Sequence, residues 1–247
     1  MTELAYTIRE DWAQRGTAMQ QQSARIRDWL GQEPYLFATA DLKQYGSAGS
    51  ADREFVEYLA DVDGELHLVD FSALSRLRRR DSKALTIPLI GLHPHKQRDC
   101  ESLREIVESD SVEILFIIVW SSNDMVRHWL DGLRAVNLHT GSASEGGPDA
   151  VQLEAAKCWV DEQYNGLSSG NGKAAVVQLL REFTSAGYSL DADTWLNAFF
   201  AAGGTFSEAR NVAQLIAEMQ AGIQHRIKPR YRPEILSVLT ESASESA

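Results

Sequence analysis

Cysteine is scarce: two in 247 residues, Cys100 and Cys158, far apart and outside any C-x-x-C spacing. That excludes a disulfide-stapled fold and a Cys-rich zinc module, and it fits a reducing, cytoplasmic compartment. Six prolines and 17 glycines rule out collagen-like and low-complexity chains. Long apolar runs are missing too. The longest uncharged one, ILFIIVW at residues 114–120, is far below the ~20 residues a membrane helix needs. The opening MTELAYTIRE carries Glu3 and no apolar stretch, so no secretory signal is expected. Positive charge is short: 24 Lys and Arg stand against 35 Asp and Glu, net -11. The deficit is spread, with 16 basic against 22 acidic side chains in residues 1–140 and 8 against 13 in 141–247. No basic domain hides behind an acidic tail, which disfavours nucleic acid and anionic membrane surfaces as partners. What is present, 44% hydrophobic and 24% charged residues, is the composition of an ordinary globular chain long enough for two domains.

The clearest boundary is GSASEGGP, and residues 141–149 read as a linker. Residues 1–140 read as an α/β domain, 150–240 as a helical bundle, and the last residues, 241–247, as a frayed tail with nothing to bury. Residues 3–30 predict one long leading helix, because Leu4, Ile8, Trp12, Met19, Ile26 and Leu30 recur mostly at steps of four and seven. So narrow a stripe either packs on its own domain or pairs with another chain. Strand signals follow at residues 35–40, 65–70, 84–92, 112–120 and 136–139, with helical patterns between them. The run VEILFIIVW has the continuous apolar character of a strand covered on both faces. Repeated strand–helix units of this kind predict a mainly parallel open sheet flanked by helices. Pro88 cannot donate to a ladder, so its strand is expected at an edge or with a bulge. Beyond the linker, helices are expected near 150–163, 173–186, 194–202, 207–226 and 234–239.

In parallel α/β sheets ligands gather at the carboxyl ends of the strands. Those ends hold Asp41, Asp70, His93, His95, the run Ser121-Ser122-Asn123-Asp124, and His139. Asp41, Asp70 and His93 are the candidate catalytic set, an acid and an imidazole suiting general-base work. Asp70, His93 and His95 are the candidate ligands of a divalent metal that would activate water. The competing reading makes the acids turn and N-cap residues. Ser169-Gly170-Asn171-Gly172-Lys173 resembles half of a phosphate loop, but Leu167 and Ala174 stand where the pattern wants Gly and Ser or Thr. A glycine-rich helix start explains it better. Asp191-Ala192-Asp193 lacks the rest of a calcium loop and reads as an N-cap. Two basic clusters remain: Arg76, Arg78, Arg79, Arg80 and Lys83, and then Arg226, Lys228, Arg230 and Arg232 around Tyr231. The second is the candidate site for an anion or an acidic partner surface, against the plainer reading of a solvated face.

The stretch from 170 to 235, with GNGKAAVVQLLREFTSAGYSLDADTW and IKPRYRPEI, resembles a family of short, uncharacterised helical proteins from enterobacteria. The resemblance covers about a quarter of the chain and implies a bacterial, cytoplasmic origin. It carries over no functional residue.

Two functions are therefore open. One is an interaction or regulatory protein that binds a protein partner or itself. The other is a metal- or phosphate-handling hydrolase with its site at the carboxyl ends of the strands.

Overall fold

The computed structural model describes residues 2–9, 17–31, 34–46, 51–60, 67–80, 86–143 and 147–245. The chain divides into two compact units, Met1–Leu130 with Ala135–Ser144, and Asp131–Arg134 with Glu145–Ala247.

The first unit is an α/β sheet structure. Its elements are β1 (Glu3–Ile8), α1 (Thr17–Leu30), β2 (Leu36–Thr39), α2 (Leu42–Gly46), α3 (Ala51–Ala60), β3 (His67–Asp70), α4 (Phe71–Arg80), β4 (Leu89–Leu92), α5 (Gln97–Glu108), β5 (Ile114–Val119), α6 (Met125–Gly132), β6 (Val136–Asn137) and β7 (Ser142–Ala143). Among the described residues the strands form one sheet in the order β3-β2-β4-β5-β1-β6-β7. The first six run parallel, and the two-residue β7 pairs antiparallel with β6.

The expected long helix over residues 3–30 is not there. Residues 3–8 form a central strand, paired from Glu3↔Ile114 to Ile8↔Val119, and the helix begins only at Thr17. The misreading has a simple cause. A step of four is also two steps of two, so Leu4 and Ile8 fit a helix face and a strand face equally well. Tertiary pairing decided it: Ala5, Tyr6, Thr7 and Ile8 are buried on both sides of the sheet. Met19, Ile26 and Leu30, the rest of the supposed partner-binding stripe, lie in the core; Trp12 lies outside the described residues.

Pro88 also departs from expectation. It stands just ahead of β4, where its carbonyl accepts from the Leu36 amide at 3.0 Å, and β4 itself is central. The missing N–H costs nothing at that position.

The helices sort by the direction of the chain along the sheet. From β1 to β2 to β3 the chain moves one way, and α1, α2 and α3 cover one face. Met19, Ile26, Tyr45, Phe55, Val56 and Leu59 pack there on Ala5, Phe37, Ile90, Leu92, Phe116 and Ile118. From β3 to β4 to β5 the chain moves back, and α4 packs on α5. Leu103 of α5 approaches Gly91 and Ile117, which point to the opposite face. One crossover hand requires this arrangement. It makes β2 and β4 neighbours whose following helices leave to opposite faces, which opens a crevice at their carboxyl ends.

The second unit is helical among its described residues: α7 (Ala150–Glu162), a 3-10 turn (Gln163–Asn165), α8 (Gly170–Ser185), α9 (Ala192–Ala201), α10 (Phe206–Gln220) and α11 (Ile235–Glu245). Its core is aromatic. Trp159, Phe183, Trp195, Phe199, Phe200 and Phe206 are all essentially inaccessible. Asp191 caps α9 as expected, accepting from Thr194, and Asp149, the last residue of the expected linker, caps α7 by accepting from the Val151 and Gln152 amides. The expected frayed tail is corrected through residue 245, which is helical. Leu239 and Ala243, one turn apart, are buried on the face of α11, so residues that look too small and polar to pack still hold the last turns. No helix among the described residues is long and apolar enough to cross a membrane.

Candidate functional site

A crevice of about 260 Å³ opens at the carboxyl ends of β2 and β4, lined by Thr39, Asp41, Tyr45, Leu92, His93, His95 and Trp120 among others. Each wall has a local cause. Asp41 follows β2 and caps the short α2, its Oδ1 accepting from the Lys43 amide at 2.9 Å. Its own amide donates to Thr39 Oγ1 at 3.3 Å, which tightens the turn. His93 continues the ladder through its amide to the Ile118 carbonyl at 3.0 Å. It then turns the chain with φ 50°, a left-handed conformation that costs a non-glycine residue about 1–2 kcal/mol. Strain of this kind collects where side chains are being aimed. His95 Nδ1 lies 3.1 Å from the His93 carbonyl, so the His-Pro-His turn holds both rings at the rim.

Trp120 follows directly on the buried β5 and is 54% exposed. Its turn is fixed by Asp124, whose Oδ2 accepts from the Trp120 amide at 3.2 Å and the Ser121 amide at 3.1 Å. Arg9, just past the end of β1, lies with its guanidinium carbon 4.5 Å from the centroid of the Trp120 ring. The same guanidinium donates from Nη1 to His93 Nε2 at 3.2 Å, which puts the imidazole proton on Nδ1. His93 meets the Trp120 ring edge-on, with centroids 5.1 Å apart and the planes at 79°. Arginine, indole and imidazole from three strand ends therefore form one interlocked group beside the crevice.

The structure brings together three of the four expected residues. Asp41, His93 and His95 share the crevice, and Asp70 is not among its lining residues. Asp70 ends the edge strand β3 and caps α4, its Oδ1 accepting from the Ser72 amide at 2.8 Å. Hydrogen bonds from the Ser72 side chain and backbone, helped by Arg98 and Lys96, hold its carboxyl below the ordinary carboxylate range. An acid so stabilised in its charged form is a weak base. Among the described residues no three His, Cys, Asp or Glu side chains gather to hold a metal ion, so Asp70, His93 and His95 do not assemble as the ligand set expected of them. Asp124 is turned back onto the Trp120 and Ser121 amides, and His139, just past β6, is exposed with its amide on Asn137 Oδ1 at 2.9 Å. Neither cysteine is poised as a nucleophile: Cys100 is buried, and burial raises the Cys158 thiol.

The sequence did not single out Arg9, Trp120 or Tyr45. Arg9 falls in the first part of the expected helix over residues 3–30, where the structure has the end of β1 instead. Trp120 had a usable signal, an aromatic residue directly after a fully apolar strand.

Near Asp70, the first turn of α5 carries a second acid, Asp99, 1% exposed, with no hydrogen-bond partner for its Oδ2. Burial raises its pKa against the pull of Lys96 and Arg98. A folded-state pKa above the ordinary 3.8 means that Asp99 favours folding below that pH and loses this contribution as pH rises through the folded value. Asp99→Asn should therefore gain on the wild type between acid and neutral pH in urea-unfolding curves. A stability difference that stays constant with pH would contradict the assignment.

No family model, no curated protein and no solved structure matches this chain.

Proposed function

We propose that this protein binds a phosphorylated small molecule bearing a planar ring, of mononucleotide size, at the carboxyl-end crevice of its parallel sheet. The observation that carries this reading is the Arg9–Trp120–His93 group beside the crevice. A half-exposed indole offers a surface for a planar ring, and base–aromatic stacking contributes about 1–3 kcal/mol. The Arg9 guanidinium, one nitrogen of which lies on His93, brings positive charge suited to phosphate oxygens to the same rim. The crevice volume of about 260 Å³ suits a phosphoryl group and its linker, with the ring lying outward over Trp120. Position supports the same reading, since ligands of open parallel sheets sit where neighbouring strands send their helices to opposite faces. Binding is carried further than hydrolysis, because Asp70 is engaged as a cap and the Nε2 lone pair of His93 is taken by Arg9. Two free cysteines keep the cytoplasmic placement as part of the proposal.

Titration calorimetry with adenosine monophosphate, uridine monophosphate and inorganic phosphate tests it. Wild type should bind the nucleotides more tightly than phosphate. Trp120→Ala should lose about tenfold or more on the nucleotides and leave phosphate unchanged, while Arg9→Ala weakens all three. Silence of the wild type toward every one of them at millimolar concentration would overturn the proposal.

A further inference from the structure

The helical unit carries a second surface, with different chemistry. Between α10 and α11, residues 223–230 have no helix or strand pairing of their own, yet other side chains hold the segment down. Buried Gln178 of α8 makes three bonds to it: Nε2 donates to the Tyr231 carbonyl at 2.9 Å, and Oε1 accepts from the Arg230 amide at 2.7 Å and the Tyr231 amide at 2.9 Å. Arg181 Nη2 donates to the His225 carbonyl at 2.6 Å. Glu162 of α7 takes the Arg230 guanidinium through Nε at 2.8 Å and Nη2 at 2.7 Å. Burial alternates from His225 to Lys228, and the exposed Pro229 interrupts it. His225, Ile227 and Tyr231 turn inward to different depths, and Arg226, Lys228, Arg230 and Arg232 are exposed.

A period of two is that of an extended chain, which spaces same-side residues by roughly 6–7 Å. The result is a pre-ordered run of exposed cations, Arg226, Lys228 and Arg232, with Arg230 already paired to Glu162, in a protein of net charge -11. Its end opens on a cavity of about 640 Å³ lined by Arg230, Tyr231, Arg232, Glu234, Ile235 and Val238, with Val238 52% exposed. We propose that this strip docks an extended acidic peptide segment of a partner protein, its carboxylates along the cation row and one apolar side chain in the Ile235–Val238 cavity.

Charge complementarity selects an anionic partner, and the aliphatic Ile235 and Val238 in the cavity lining select a peptide over a nucleic acid. Single-stranded nucleic acids want exposed rings on which bases stack. The one aromatic ring lining this cavity, Tyr231, is half-buried. A pinned backbone also reduces the ordering cost of docking.

The test uses the full chain and three fluorescein-labelled probes: a twelve-residue peptide alternating Glu and Leu, the same peptide with Lys for Glu, and a twelve-nucleotide oligothymidylate. Anisotropy should rise with the Glu–Leu peptide only. Arg226→Glu with Lys228→Glu should weaken it by about tenfold or more, and Val238→Asp should weaken it with the cation row intact. Gln178→Ala, which frees the strip while keeping its charges, should weaken binding less than charge reversal does. Circular dichroism checks that each variant is folded. Failure of the wild type to bind the Glu–Leu peptide overturns the proposal, as does equal binding by the charge-reversed variant. Tighter binding of the oligothymidylate assigns the row to nucleic acid instead. A wild-type dimer that Arg226→Glu with Lys228→Glu dissociates assigns it to a second copy of the chain.

Discussion

Trp159→Ala is expected to lower the stability of the helical unit by about 3–5 kcal/mol, the largest loss of any single truncation considered for this protein. Trp159 is fully buried and sits 5.0 Å from Trp195 and 6.5 Å from Phe199 by ring centroids, so alanine leaves a cavity walled by rigid rings that cannot close over it. The paired variant Trp159→Phe discriminates packing from polarity. Trp159 Nε1 is buried with no hydrogen-bond partner, and phenylalanine removes that orphaned donor along with some volume. An unsatisfied buried group costs about 1–3 kcal/mol, which offsets part of the lost packing. Trp195 makes the opposite case, because its Nε1 donates to the Ser189 carbonyl at 3.2 Å. Trp195→Phe should therefore cost more than Trp159→Phe. Chemical denaturation followed by tryptophan fluorescence and far-ultraviolet dichroism separates the two units if they melt apart. Equal losses for the two phenylalanine variants would show that the orphaned donor is not buried as described.

Gly172→Ala should cost about 3 kcal/mol, at the upper end of overpacking. A Cβ on Gly172 would stand 2.2 Å from the Gly166 carbonyl oxygen and 3.1 Å from Leu167 Cα, and neither is a flexible side-chain end that can swing aside. Gly170, two residues earlier, is the control. Its φ of +57° strains any L side chain but nothing lies within 4 Å of its Cβ, so Gly170→Ala should cost about 1–2 kcal/mol. The pair separates close approach from conformational freedom, and a reversed order of the two losses would refute the account. It also disposes of the partial phosphate-loop pattern. Gly170 makes the turn into α8, and Gly172 lets the Gly166–Leu167 backbone pack on its first turn, where the Leu167 amide donates to Glu208 Oε2 at 2.6 Å.

The chain's own patterns were legible wherever a local signal had a single meaning. The continuous apolar run of β5 could only be a strand covered on both faces, and Asp191 sits where its helix begins. Signals with two meanings failed. Leu4 and Ile8 suited a helix or a strand, and their true partners, Leu115 and Val119, lie more than a hundred residues away. The candidate site followed the same rule. Asp41, His93 and His95 were found because strand ends are visible in sequence. Arg9 was missed with β1, and Asp70 was included because strand order was not visible.

By itself, then, the sequence determined an acidic chain with a mainly parallel α/β part, a helical second half and the residue types at the strand ends, since composition, period and capping are local properties of neighbouring residues. Only the tertiary structure decided that residues 3–8 are a central strand, that β2 stands beside β4, and that Arg9, Trp120 and His93 meet at one crevice. Those facts depend on pairings between distant segments, where the free energy of burial in the complete sheet outweighs the preferences of any short stretch.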